Sequence, residues 1–167
     1  SMLAAAHEAD EIYWWGQSHI ENSTASELWQ NVLAQTQSFL AGYSDTDITG
    51  TEAAETLTGT EGVERISGAG GDDVLFGGGG GDTLVGGSGA DEMVGGTGSD
   101  TYYVDSTGDV VAETGGDGVD IVRTNLAEFD LGSFNVDGAV ENLVGTLGSG
   151  QVLTGNELDN TITGSWG

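Results

Sequence analysis

The chain has 167 residues, 31 of them Gly and none Pro or Cys, and its 28 Asp and Glu against two cationic residues give a formal charge of −26. With only Arg65 and Arg123 as cations it cannot neutralise phosphates or an anionic lipid surface, which excludes nucleic acid as a partner and electrostatic membrane attachment. No apolar run approaches the ~20 residues of a membrane span, so no membrane insertion is expected, and without Cys there is neither a disulfide nor a thiolate–metal site.

Residues 1–48 read as a short α-helical N-terminal flank or cap. Leu3 to Trp15 suits a short helix, and Thr24-Ala25-Ser26-Glu27 has the form of a capping box. Leu28, Val32, Phe39 and Leu40 then recur near the helical period, with Gly42 as a stop. Trp14, Trp15, Trp29 and Trp166 read as packing anchors rather than sugar platforms. His7-Glu8 begins like a zinc-protease motif, but Glu11 stands where the second His belongs. No nucleophile, base and orienting group come together in the sequence, so no catalytic residues are assigned and the module itself is read as non-catalytic.

From Gly50 the sequence falls into nines: GTEAAETLT, GTEGVERIS, GAGGDDVLF, GGGGGDTLV, GGSGADEMV, GGTGSDTYY. The first position is Gly at 50, 59, 68, 77, 86 and 95. The sixth is acidic at Glu55, Glu64, Asp73, Asp82, Asp91, Asp100 and Asp109. The eighth is large and apolar or aromatic at Leu57, Ile66, Leu75, Leu84, Met93, Tyr102 and Val111. Seven acids in one register is beyond chance for a chain with 28 acidic residues in 167. After an eleven-residue step, Val104–Thr114, a further unit GGDGVDIVR runs from Gly115 to Arg123.

The pattern GGxGxDxUx, with U a large apolar residue, resembles the RTX (repeats-in-toxin) family of calcium-binding exoproteins. Units at Gly77, Gly86, Gly95 and Gly115 match every specified position, and the unit at Gly68 departs only at Ala69. Units at Gly50 and Gly59 carry Glu for Asp, whose carboxylate stands one carbon further out. The resemblance implies a mainly β fold, a parallel β-roll that is a right-handed β-solenoid of nine-residue repeats, over residues 49–123. Residues 124–167 read as a degenerate continuation of β coils. There Leu126–Leu131 alternates like a half-buried strand, Val140–Gly145 and Gln151–Leu153 suit short strands, and Gly155–Thr163 keeps the frame with Asn160 in the acidic place.

Two units make one coil of eighteen residues, so sixth-position acids pair at that spacing. Calcium takes six to eight hard oxygens at about 2.3–2.6 Å, more than one loop offers. The resemblance implies that one loop gives the carbonyls of its second and fourth residues and its Asp, and that the loop one coil later gives the carbonyls of its first and third residues and its Asp. One ion would take Ala69, Gly71, Asp73, Gly86, Ser88 and Asp91. A second would take Gly78, Gly80, Asp82, Gly95, Thr97 and Asp100. A third would take Gly87, Gly89, Asp91 and Asp109. A fourth would take Gly96, Gly98, Asp100, Gly115, Asp117 and Asp120, across twenty residues rather than eighteen. Glu55 with Asp73, and Glu64 with Asp82, would form weaker sites.

Stacked Asp side chains ~5 Å apart repel by roughly 0.8 kcal/mol per pair even in water, and bound calcium converts that repulsion to attraction and supplies folding free energy. The resemblance therefore implies Ca2+, several ions, as the cofactor, and a chain unfolded without it. It also implies a secreted or cell-surface bacterial protein exported unfolded by type I secretion machinery, with a structural or adhesin role and a polysaccharide or cell-surface partner. The alternative is the non-catalytic C-terminal module of an exoenzyme such as a protease, lipase or alginate epimerase.

Overall fold

The structure, a computed structural model, describes residues 46–164 except 115, 116 and 135. The expected N-terminal helices, the four tryptophans and Gly115 lie outside the described residues. The described residues hold fourteen strands and no helix: β1 (Thr46–Thr49), β2 (Thr56–Thr58), β3 (Glu64–Gly70), β4 (Val74–Gly79), β5 (Thr83–Ser88), β6 (Glu92–Thr97), β7 (Thr101–Val104), β8 (Val110–Ala112), β9 (Ile121–Thr124), β10 (Glu128–Asp130), β11 (Val136–Asp137), β12 (Asn142–Gly145), β13 (Val152–Thr154) and β14 (Thr161–Thr163).

Nine residues allow one short strand and one turn, so consecutive strands belong to opposite walls. Odd-numbered strands β1, β3, β5, β7 and β9 stack side by side and continue into β12 and β14, making a seven-stranded sheet. The strands β2, β4, β6 and β8, followed by β11, form the facing five-stranded sheet. Every pairing is parallel. The product is a β-solenoid of about six turns. Its register follows the repeat: Ile66 lies on Leu84, and Leu84 on Tyr102; in the facing sheet Leu75 lies on Met93, and Met93 on Val111.

A strand's side chains alternate between faces, so the eighth residue of every unit points to the same side. That side is the interior. Ile66, Leu84, Tyr102, Val122 and Leu143 from one wall meet Leu75, Met93 and Val111 from the other, and all eight are fully buried. Residues one place on, such as Phe76 and Tyr103, face outward. Arg123 stacks on Tyr103 one coil away, its guanidinium carbon 5.7 Å from the ring centroid. The core is only two side chains wide, which is why the acids at the turns bear so heavily on stability.

Beyond Ala112 the coil widens. The partner of Val111 is Val136, and Glu128 pairs with Val152, so β10 and β13 form a separate two-stranded sheet. The expected strand within Leu126–Leu131 is β10, with Phe129 and Leu131 buried. Phe129 packs on Phe134 at 4.4 Å between ring centroids. Residues 140–163 hold β12, β13 and β14 at the places the sequence suggests.

Candidate metal centre

In the four units that begin at Gly68, Gly77, Gly86 and Gly95, the turns are built on left-handed backbone at the second and fourth positions. At Gly80 (φ +99°) and Gly98 (φ +117°) a Cβ would overlap the carbonyl oxygen of the fourth residue one coil earlier, Gly62 or Gly80. Only Gly tolerates both the dihedral and the approach. Ala69 occupies the equivalent second position with φ +77°, the one non-Gly residue of positive φ among the described residues. The consequence is a stack of carbonyls directed along the solenoid. The Ala69 and Gly71 oxygens abut Gly87 and Gly89, and the Gly78 and Gly80 oxygens abut Gly96 and Gly98. In the opposite sense, the Gly86 and Gly95 oxygens abut Gly68 and Gly77. Carbonyls of adjacent coils thus enter the same gap from both sides.

The sixth-position acids line that gap as a ladder. Each backbone N–H donates to the carboxylate one coil later: Asp73 to Asp91 Oδ1 at 2.8 Å, Asp82 to Asp100 at 2.7 Å, Asp91 to Asp109 at 3.2 Å and Asp100 to Asp120 at 2.8 Å. Asp73, Asp82, Asp91, Asp100, Asp109 and Asp120 are all buried. The second oxygen, Oδ2, of Asp73, Asp82, Asp91 and Asp100 is buried with no hydrogen-bond partner. A carboxylate oxygen denied both water and a donor is costly to keep charged. Burial pushes the Asp82, Asp91 and Asp100 carboxyls up to about 6, against the pull of the backbone N–H each accepts, and neighbouring carboxylates add to the rise. The same burial raises Asp109 and Asp120. Four unpartnered anionic oxygens beside converging carbonyls fit a hard, oxygen-seeking cation.

Ala69, Gly71, Asp73, Gly86 and Asp91 lie at one junction between adjacent coils, and Gly78, Gly80, Asp82, Gly95 and Asp100 at the next. The Ser88 carbonyl accepts the Gly71 N–H at 2.9 Å, leaving one lone pair, and Thr97 lies beside Gly79. In the third set, Asp91 keeps a free oxygen but Asp109 Oδ2 accepts the N–H groups of Asp105 and Ser106, both at 3.1 Å. In the fourth, Asp100 and Asp120 are linked, the Gly98 oxygen abuts Gly118, and Asp117 is exposed nearby.

The two Glu units differ from the Asp units. Glu55 accepts the N–H and hydroxyl of Thr51 at 2.6 and 2.9 Å, and Glu64 those of Thr60 at 2.9 and 2.7 Å. The extra methylene lets each reach back to the second residue of its own loop. Two acids outside the assigned set also join the ladder. Glu141 accepts the Asp120 N–H at 2.9 Å, extending it by one coil. Its signal was the triplet Glu141-Asn142-Leu143, an acid two places before a core residue. Glu113 is buried against Asp100 and Asp120. A shallow cleft lined by Thr107, Glu128, Phe129, Asp130, Ser133 and Phe134 shares no residue with the ladder.

Comparison with protein families matches residues 49–84, 67–102 and 76–111 to the RTX calcium-binding nonapeptide repeat (4 copies), each match four nonapeptides long. No curated protein and no solved structure matches the chain. Residues 49–111 thus carry RTX calcium-binding nonapeptide repeats, which imply a calcium-binding β-roll module that is itself non-catalytic.

Proposed function

We propose that the module is a folding device driven by extracellular calcium, part of a secreted bacterial protein that leaves the cell unfolded by a type I route. The observation that carries this reading is the set of four buried, unpartnered Asp Oδ2 atoms beside stacked carbonyls. A metal-free coil stack must hold these oxygens either charged and unsolvated or protonated, and both cost free energy. Extracellular calcium modules bind at ~0.1–1 mM, far above cytosolic calcium, so the stack is unfolded before export and folds after it. The carbonyl-and-Asp sets named above are the ligand sets of this reading. Of these sets, the pairs Asp73–Asp91 and Asp82–Asp100 are the ones in which both aspartates keep an unpartnered second oxygen. Rigidity gained outside the cell suits a structural or adhesive part of a larger protein.

The test is circular dichroism and small-angle scattering of the full chain with excess EGTA and with calcium in the millimolar range. The expected outcome is an expanded, largely unordered chain in EGTA and a compact β-rich one in calcium. Identical spectra and dimensions in both conditions would overturn the reading.

A further inference from the structure

Glu113 and Thr114 are the two residues that stretch the step from Asp100 to Asp120 to twenty. In an unbroken register Glu113 would take the first position of the next unit, where Gly stands at 68, 77, 86 and 95 and where a Cβ would collide with the unit's own Asp Oδ2. The insertion takes Glu113 out of that position and leaves it just beyond β8. Glu113 is buried there, 8% exposed. Its N–H donates to the Asp137 carbonyl at 2.6 Å, which fixes the backbone at the end of β8. One carboxylate oxygen accepts the hydroxyl of the core residue Tyr102, and the other, Oε2, has no partner. Asp100 Oδ2, in a residue 0% exposed, also has none. Asp100, Glu113 and Asp120 each present a carboxylate oxygen within 4.8 Å of the others.

We infer that Asp100, Glu113 and Asp120 together hold one calcium ion, tighter than any ion bound by an Asp pair alone. Three buried carboxylates around one point are, when ionised, a charge set that a divalent cation balances locally. Oxygen-only ligands select a hard divalent ion, and calcium affinity rises with the number of charged ligands and the rigidity of the site. Both features are present: Glu113 adds a third carboxylate, and Tyr102, fixed in the core, holds it in place. The irregular step in the repeat is thereby the anchoring point of the stack, the first coil junction to close as calcium rises. The inference rests on the calcium reading above and adds to it a residue outside the nonapeptide.

The experiment is calorimetric and native-mass-spectrometric titration of the full chain with calcium, for the unchanged sequence and for Glu113→Gln, which keeps shape and removes the charge. The unchanged chain is expected to show one class tighter than the rest, and Glu113→Gln to weaken that class at least about tenfold while the others persist. Should Glu113→Gln fail to fold, Tyr102→Phe with terbium as the calcium probe reads the same site. Among the described residues Tyr102 is the aromatic group bonded to the cluster, so tyrosine-sensitised terbium emission at the first equivalent should fall sharply in that variant. A Glu113→Gln chain with the unchanged number of ions and affinities overturns the inference. So does unchanged sensitised emission in Tyr102→Phe. A chain of unchanged sequence that binds no calcium overturns instead the reading on which the inference rests.

Discussion

Asp73, Asp82, Asp91 and Asp100 occupy the same place in the coil as Asn160, yet the two regions complete their turns with different chemistry. The aspartates accept one N–H from the previous coil and leave Oδ2 bare, while stacked carbonyls face them. Asn160 accepts the Asn156 N–H at 2.7 Å within its own loop, as Glu55, Glu64 and Asp109 do and the four aspartates do not, and its Nδ2 donates to the carbonyls of Val140 and Glu141 at 3.2 Å. Asn156 Nδ2 also donates to Val140 O at 3.0 Å, and Gln151 Nε2 donates to the carbonyls of Thr124 and Leu126 at 2.9 and 2.7 Å. A neutral amide carries its own donors, so it satisfies a carbonyl that an aspartate turn leaves facing another oxygen. The difference teaches what the aspartates are for. The solenoid path does not require them, and an aspartate turn is a turn made dependent on an external cation.

The largest expected effect comes from exchanging the two chemistries. Asp82→Asn should remove one calcium ion from the titration and stabilise the calcium-free chain by about 1 kcal/mol, because the amide ends a buried carboxylate's isolation and offers a donor. Asn160→Asp should do the reverse without calcium, costing about 1–3 kcal/mol by removing the donors to Val140 and Glu141. Far-UV β content in EGTA, titrated with a stabilising osmolyte, together with calcium stoichiometry reads both, and an Asp82→Asn chain that keeps its full calcium count defeats the ligand assignment.

Protonation sharpens the same comparison. Asp82, Asp91 and Asp100 rise from the ordinary 3.8 to about 6 in the metal-free stack, chiefly through burial. A carboxyl with a folded value above its unfolded one disfavours the folded state when ionised. The penalty is complete above about pH 6 and disappears as pH falls through that value towards 3.8, so the calcium-free chain should gain β structure on mild acidification. Calcium affinity should fall over the same interval, since the ion requires the ionised form. Far-UV spectra in EGTA and calcium titrations between about pH 7.5 and about pH 5 test the two together. A calcium-free chain with less structure at the lower pH contradicts the burial argument. The smallest effect belongs to Ala69, whose φ of +77° costs an L-residue about 1 kcal/mol; Ala69→Gly should stabilise the calcium-loaded chain by about 0.5–1 kcal/mol, read as a raised thermal midpoint.

The nine-residue period made most of the fold legible. Gly at the first position, acid at the sixth and a core residue at the eighth fix turn, rung and interior, because a strand's two-residue alternation admits no other register once one face must be apolar. Residues 124–163 were less legible. Their coils widen by insertion, and the separate β10–β13 sheet depends on which segment fills the wider turn. Glu141 went unassigned because its unit lacks Gly at the first, second and fourth positions, leaving only the triplet Glu141-Asn142-Leu143.

What the sequence by itself determined was the parallel stack, its buried ladder and the row of acids on it, since these follow from periodicity along one strand at a time. What only the tertiary structure decided was which of those acids are free to meet a cation. Glu55, Glu64 and Asp109 share the register of Asp73 and Asp82, but Glu55 and Glu64 satisfy both oxygens, and Asp109 its Oδ2, within their own loops. Asp73 and Asp82 do not. Glu113 stands outside the register and yet lies among Asp100 and Asp120. Whether a carboxylate is partnered depends on the length of its side chain and on what the neighbouring coils place within hydrogen-bonding reach, and those contacts exist only once the coils are stacked.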